Sequence, residues 1–294
     1  MSEPAPGRSP ASPGFLARFG RHRLAAAGAG LVVLLVGVAV LAPALAPFDP
    51  DEQDLQSRLR VPTREHHLGT DGHGRDVLSR LLLGTRVSLL AGVAAALIAV
   101  GLGVLVGSAA GYFGGPVDLV LMRFTDVFMT IPVLFLILLV VAAYGPSLLN
   151  TILVLGAVYW PGVARLVRSQ VLALRARDFV LAARALGAPD VRVILRHLLP
   201  NAAGIITVQV TLAVATAILA ESALSFLGLG VPPPTPSWGN MLTEGRLHLT
   251  SAWWIATFPG LAIFLSVLAF NLTGDGLRDA LDPHFSPGRG STRA

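Results

Sequence analysis

The chain has 294 residues, of which 53% are hydrophobic and only 13% are charged, and its mean hydropathy is +0.68. A water-soluble domain of this length rarely has that balance, so we expect the bilayer to be its solvent. The net charge is +5, but no nucleic-acid-binding motif accompanies the arginines, and we predict no nucleic-acid partner. Cysteine is absent, which excludes disulfides and thiolate metal sites.

The first part of the chain divides into a polar tail, an apolar run and a charged loop. Residues 1–23 are rich in Pro, Gly and Ser, and we predict a disordered, cytoplasmic segment. Residues 24–46 are the first predicted transmembrane helix, because the apolar run is longer than the roughly 7–15 residues of a signal-peptide core. Residues 47–86 form an extracytoplasmic loop with a predicted interfacial helix that contains Leu78, Leu81 and Leu82.

Residues 87–273 are predicted to form a core of five more spans, because a helix needs about 20 mostly apolar residues to cross the hydrocarbon. The uncharged stretches are Val87–Val117, Val127–Ala164, Ala202–Ala220 and Trp253–Asn271. Gly145 and Pro146 predict a turn that divides the second stretch into two spans. The Ala and Gly content of the first stretch favours close helix packing. The predicted fold class is all-α, a polytopic membrane protein with about six transmembrane helices.

The distribution of arginine predicts the orientation of these spans. Positively charged short loops stay in the cytoplasm, and 15 of the 22 arginines fall on the cytoplasmic side when the N-terminus is placed there. The tail of residues 274–294 is then also cytoplasmic. Six of the other seven arginines lie in the loop of residues 47–86, where acidic residues roughly offset them.

Residues 165–200 connect the fourth and fifth spans, and their periodicity predicts two short amphipathic helices. One apolar face, at positions i, i+3, i+4 and i+7, consists of Phe179, Ala182, Ala183 and Leu186. Asp178 is a candidate N-cap, and Gly187 suits the left-handed position after the helix. The second face consists of Val191, Ile194, Leu195 and Leu198, and Pro200 is expected to end its helix. Spacing alone leaves open whether the first face binds a partner's groove or the protein's own spans.

The connector resembles the "EAA" loop of permease subunits of ABC importers. The resemblance rests on Ala182-Ala183-Arg184-Ala185-Leu186-Gly187 followed by His197-Leu198-Leu199-Pro200. Where the family's loop usually has glutamate, this chain has Leu181. The resemblance implies an ATPase-coupling interface made of Phe179, Ala182, Ala183, Leu186 and Gly187.

Further stretches resemble the second, "C"-type permease of the dipeptide, oligopeptide and nickel branch. They are Leu68-Gly69-Thr70-Asp71 with Gly74-Arg75-Asp76, Gly111-Tyr112-Phe113-Gly114-Gly115, Ser237-Trp238-Gly239-Asn240 and Gly274-Asp275-Gly276. The resemblance implies the type I ABC importer permease fold in the inner membrane, forming half of a translocation path for di- or oligopeptides, with nickel or another small polar solute as the alternative. The implied partners are a second homologous permease, two ATPase subunits and an extracytoplasmic substrate-binding protein.

The chain itself is not expected to be an enzyme. It contains no lysine and therefore no P-loop, so ATP hydrolysis is assigned to a partner, and we predict no catalytic residue, cofactor or metal ligand. A secondary transporter driven by an ion gradient is a distant alternative, disfavoured because the span interiors are almost free of charge.

Several polar residues leave two interpretations open. Asp126 and Glu221 lie near span ends, so interfacial solvation is favoured over a proton-relay role. His66, His67 and His73 lack the spacing of a metal site and are predicted to be solvated. The stiff run Val231–Pro236 either presents a surface to the binding protein or is a passive linker.

Overall fold

The computed structural model describes residues 19, 20 and 22–281, so most of the predicted disordered N-terminal segment lies outside the described residues. Within them the regular structure is helical, apart from one isolated bridge between Thr70 and Asp76. Among the described residues, five helices are long and apolar enough to cross a membrane, and a bent pair gives a sixth candidate. The prediction of an all-α protein with about six spans is confirmed.

The helices follow one another along the chain with short connections. In order they are α1 (Arg23–Leu45), α2 (Val77–Phe113), α3 (Gly115–Thr130), α4 (Val133–Tyr144), α5 (Leu148–Arg175), α6 (Asp178–Ala185), α7 (Asp190–Phe226), α8 (Trp238–Gly245) and α9 (Trp254–Leu281). Helices α3 and α4 form the bent pair, with an angle of 79° between them at Ile131 and Pro132. The predicted turn after α4 is present, where Gly145 has φ of +78° and the Ser147 hydroxyl caps α5.

Two helices are longer than the sequence pattern predicts. Helix α2 begins at Val77, so the residues assigned to a separate interfacial helix are its first turns, and the Asp76 carboxylate caps it through the Ser79 N–H at 2.8 Å. Its 37 residues span roughly 56 Å at 1.5 Å per residue, well beyond the ~30 Å hydrocarbon core. Helix α9 continues to Leu281, past the predicted start of the C-terminal tail at residue 274.

Helices α2 and α5 pack at backbone distance through three glycines spaced four residues apart. A Cβ added at Gly103 would lie 2.4 Å from Val163 Cβ, and one at Gly107 would lie 2.4 Å from the Ala164 carbonyl oxygen. At Gly111 the nearest atom would be the Arg168 carbonyl oxygen at 2.8 Å. This spacing is the small-xxx-small arrangement by which helices approach closely in lipid, and it confirms the close packing expected of this span.

At the opposite end of α2 a buried set of charges ties the loop before it to α8. This loop ion cluster consists of Asp71, Arg75, Arg80 and Glu244. Arg75 Nε donates to Asp71 Oδ2 at 2.7 Å, and Arg75 Nη2 lies 2.8 Å from both carboxylate oxygens of Glu244. Arg80 is 1% exposed and lies 3.6 Å from Asp71 and 3.5 Å from Glu244. Burial opposes the charged form of Arg75, but the two carboxylates outweigh it and raise its pKa.

Helix α8 folds back over the end of α7 and buries Glu221. The Glu221 side chain is 0% exposed and accepts hydrogen bonds from Ser225 Oγ at 2.7 Å and Ser88 Oγ at 3.2 Å. Trp238, the first residue of α8, is also fully buried, and its backbone N–H donates to Ser88 Oγ. The prediction that Glu221 is solvated at an interface is therefore wrong, because the segment after Pro236 covers it.

The glycine contact predicts a large difference between two leucine substitutions on the same helix. Gly107→Leu should lower the melting temperature of the purified chain in detergent by several degrees, because the added side chain forces α2 away from α5. Gly101→Leu, at a position with nothing within 4 Å, is the control and should melt like the wild type. Equal melting temperatures for the two variants would contradict the close packing.

The loop ion cluster predicts that neutralising Arg75 is far more costly than neutralising an exposed arginine of the same loop. Arg75→Gln should lose about 3–5 kcal/mol of stability, since it leaves the buried Asp71 carboxylate and the partly buried Glu244 carboxylate with less compensating charge. Arg64→Gln, in the exposed part of the loop, is the control. The measurement is thermal unfolding in detergent, and a shift no larger than that of the control would refute the assignment.

Candidate functional site

The candidate site is α6, the short helix that leads from α5 towards α7. Helix α5 extends to Arg175, so the first eleven residues of the predicted connector belong to a spanning helix. Arg177 occupies the N-cap position of α6, and Asp178 is the first residue of the helix. No side chain makes a capping hydrogen bond at this end. The N-cap prediction for Asp178 is wrong. Its carboxylate nevertheless lies in the first turn, where a negative charge interacts favourably with the helix dipole.

Helix α6 has one buried side and one outward apolar side. Val180 is fully buried against α5 and the start of α7, among Val171, Val193 and Leu198. The predicted coupling residues lie on the other side: Phe179 is 40% exposed and Leu186 is 89% exposed. Ala182 is exposed as well, and Ala183 is partly buried between them. The structure therefore brings the predicted residues together on one outward face and leaves that face uncovered by the rest of the described chain.

Leu181, which stands where the related loops usually have glutamate, is not on this apolar face. At about 100° per residue it lies roughly 200° around the helix from Phe179. Its side chain is 51% exposed. The missing glutamate therefore leaves the outward face of α6 unchanged.

Gly187 ends α6 in the left-handed conformation that the sequence predicts, with φ of +78°. Its N–H donates to the Arg184 carbonyl at 3.0 Å, and the Ala188 N–H donates to the Ala183 carbonyl at 3.1 Å. These bonds satisfy the last carbonyls of the helix. An added Cβ would meet nothing within 4 Å, so the backbone conformation, and not crowding, requires glycine here.

The second predicted connector helix is not separate, because α7 runs without interruption from Asp190 to Phe226. Residues Val193–Leu198 form a π-helical turn, and the regular α-helix starts again at Leu199. Pro200 therefore does not end a helix. It lies in the first turn of the regular α-helical segment. The preceding π turn has already changed the backbone hydrogen-bond pattern there, so the missing N–H and the ring of proline are tolerated.

Tyr112, near the end of α2, joins both parts of the connector to the span core. We call Tyr112, Arg184 and Asp190 the Tyr112 clasp. The Tyr112 hydroxyl donates to Asp190 Oδ1, and the Arg184 guanidinium lies 5.6 Å from the centre of the Tyr112 ring. This distance is typical of a cation–π contact. No local sequence pattern reveals this contact, since 78 residues separate Tyr112 from Asp190.

Two arginines of α5 are paired with α3 next to the connector. Arg168 makes two hydrogen bonds to the Asp118 carboxylate, and Arg165 donates to Asp126 at 2.6 Å. The Asp126 side chain is 45% exposed. These pairs fix the start of the bent α3–α4 unit against α5.

The loop histidines lie apart from this site. His66 contacts the Asp76 carboxylate at 3.0 Å, whereas His67 and His73 are exposed. Asp71, His73 and Glu244 place potential ligand atoms within 4.8 Å of one another. The Arg75 guanidinium already lies among them, however, bonded to Asp71 and Glu244 and 3.2 Å from His73 Nδ1. Because a cationic side chain already pairs with the acids, the loop does not present a metal site.

Comparison with known proteins agrees with this architecture. Residues 103–287 match the family described as binding-protein-dependent transport system inner membrane component. Residues 13–62 match the N-terminal transmembrane domain of oligopeptide transport permease C.

Individual relatives align over nearly the whole chain. A protein of Brucella abortus named as a peptide transport system permease is 45% identical over 266 residues, which cover 90% of each chain. The glutathione transport system permease protein GsiD of Escherichia coli is 44% identical over 270 residues, 92% of this chain and 89% of the relative. The chain therefore belongs to the family of inner membrane permease components of binding-protein-dependent ABC importers.

Proposed function

We propose that this permease forms half of the translocation path of an ATP-driven importer for di- or oligopeptides, and that α6 docks on a separate ATPase subunit. The observation that carries the docking proposal is the outward apolar face of α6. Phe179 and Leu186 are large apolar side chains exposed on a helix that the buried Val180 anchors to the spans. Small alanines between them allow close approach to a groove on a partner.

The peptide substrate is supported by the relatives, which are named for peptide and glutathione transport. Both names refer to solutes that contain amide bonds. Nickel or another small polar solute remains the alternative cargo for the same role. The family of the chain argues against a secondary transporter driven by an ion gradient.

The complete importer requires further chains. We propose a second homologous permease, two ATPase subunits and an extracytoplasmic substrate-binding protein, with the α6 side and both termini facing the cytoplasm. The excess of arginine near α6 supports this orientation, because positive charge is retained on the cytoplasmic side. ATP binding and hydrolysis would then move α6, and the Tyr112 clasp would pass the movement to α2 as a rigid-body shift.

The docking proposal predicts that Ala183→Asp uncouples the importer. A carboxylate on the apolar face would be buried against the ATPase without a partner, so peptide-stimulated ATP hydrolysis in the reconstituted complex should fall at least tenfold. Ala185→Asp, the same change roughly 100° off the face, is the control and should retain most of the activity. Unchanged peptide-stimulated ATPase activity in Ala183→Asp would refute docking through this face.

Gly187→Pro tests the same surface through the backbone. Proline cannot adopt φ of +78° and lacks the N–H that bonds to Arg184, so the end of α6 should unravel while the spans still insert. Transport should be lost at normal membrane levels of the protein. Wild-type transport by this variant would show that the α6 terminus plays no part in coupling.

The clasp predicts that Tyr112→Phe weakens coupling without disrupting the fold. The ring and its contact with Arg184 remain, but the hydrogen bond to Asp190 is lost. More ATP should be hydrolysed per peptide transported, by roughly tenfold or more, because a hydrogen bond to a charged group contributes about 1.5–3 kcal/mol. Tyr144→Phe, at an exposed tyrosine, is the matched control. An unchanged ratio of ATP to peptide would contradict a coupling role for the clasp.

A further inference from the structure

Two cavities adjoin along the groove between α5 and α7. The larger, about 580 Å³, lies towards the connector and is lined by Gln170, Asn201 and Arg278 among other residues. The smaller, about 200 Å³, lies further along the same two helices and includes Tyr159 and Thr216 in its lining. Gln209 lines both cavities. The two cavities therefore share Gln209 as a common wall.

The groove contains polar side chains without a partner in the part of the chain that the structure describes. The side chains of Tyr159, Gln170 and Gln209 make no hydrogen bond there, and each is half-buried. An amide or a phenol facing lipid without a partner is costly, because hydrocarbon offers no hydrogen bond. These groups therefore require water, a polar molecule or a polar group of a partner chain in the groove.

The helical register places these side chains in two facing rows. Tyr159 and Gln170 are eleven residues apart on α5, which is close to three full turns and puts them on one side about 16 Å apart. Gln209 and Thr216 are seven residues apart on α7, again on one side. The two rows combine amides and hydroxyls, and among the described lining residues Arg278, at the end near the connector, is the charged one.

We infer that this groove is the surface along which the substrate moves past this permease, and that Tyr159, Gln170 and Gln209 are its contact residues. The inference rests on the proposed import function and adds the residues that the substrate meets. Uncharged donors and acceptors at this spacing suit a solute with several amide groups, which exchanges one hydrogen bond for the next along the groove. Thr216 and Asn201 extend the rows, and the Arg278 guanidinium is placed to attract an anionic group at the end near the connector.

The absence of cysteine from the chain permits a direct test by single-cysteine labelling. Tyr159→Cys, Gln170→Cys and Gln209→Cys would be made separately in the complete importer in membrane vesicles. Each would be treated with a water-soluble sulfonated methanethiosulfonate reagent, and the mass of this chain would be measured. Leu153→Cys, an exposed apolar position on α5 that lines neither cavity, is the lipid-facing control. Val61→Cys in the exposed loop is the positive control.

The three groove variants should react with the water-soluble reagent at least tenfold faster than Leu153→Cys. Their rates should also change when ATP and orthovanadate trap the importer in another state. Rates as slow as that of Leu153→Cys in every nucleotide state would overturn the inference, since the groove would then be a dry interface. That result would leave the import function intact, which is measured separately as peptide uptake by the wild-type complex. Slower labelling in the presence of trialanine and the binding protein would further support contact with a peptide.

Discussion

The close contact between α2 and α5 is the constraint on which the remaining structure depends. Three glycines in one row let the two backbones meet, and α2 itself is long enough to cross the bilayer and extend beyond it. One end of α2 holds the loop ion cluster and the other holds Tyr112. The two sides of the membrane are thus joined by a single helix that cannot shift sideways without opening the glycine contact.

The placement of polar groups follows from the cost of leaving a polar atom unpaired in lipid. An unpaired charge is costly in lipid, and the buried Arg75 is paired with Asp71 and Glu244 where the loop meets α8. Glu221 lies deeper, but hydroxyl groups from α2 and α7 surround it. The half-buried amides of Gln170 and Gln209 have no such partner among the described residues, and on this ground we assign them to a groove that holds water or substrate.

Local chemistry made much of this structure predictable. Apolar length locates the spans, Gly145 locates a turn, and the spacing of Phe179 and Leu186 identifies the outward face of α6. The missed features depend on contacts distant in sequence. Glu221 is near a span end by counting, yet α8 covers it. The bend lies inside an uncharged apolar run, where Pro132 is the local signal for a break. The partners of Tyr112 come together only after α2, α6 and α7 have packed.

The π turn at Val193–Leu198 determines how the membrane part of α7 is rotated relative to the connector. A π turn accommodates one residue more than an α turn, so the positions before and after it do not follow one continuous period of 3.6. The connector residues before the turn and the row of Gln209 and Thr216 after it therefore do not share one helical register. A one-residue insertion or deletion at this turn would rotate the membrane part of α7 against the connector by about 100°. The direction in which the groove residues of α7 point therefore depends on the length of the π turn, a six-residue segment that lies outside the groove.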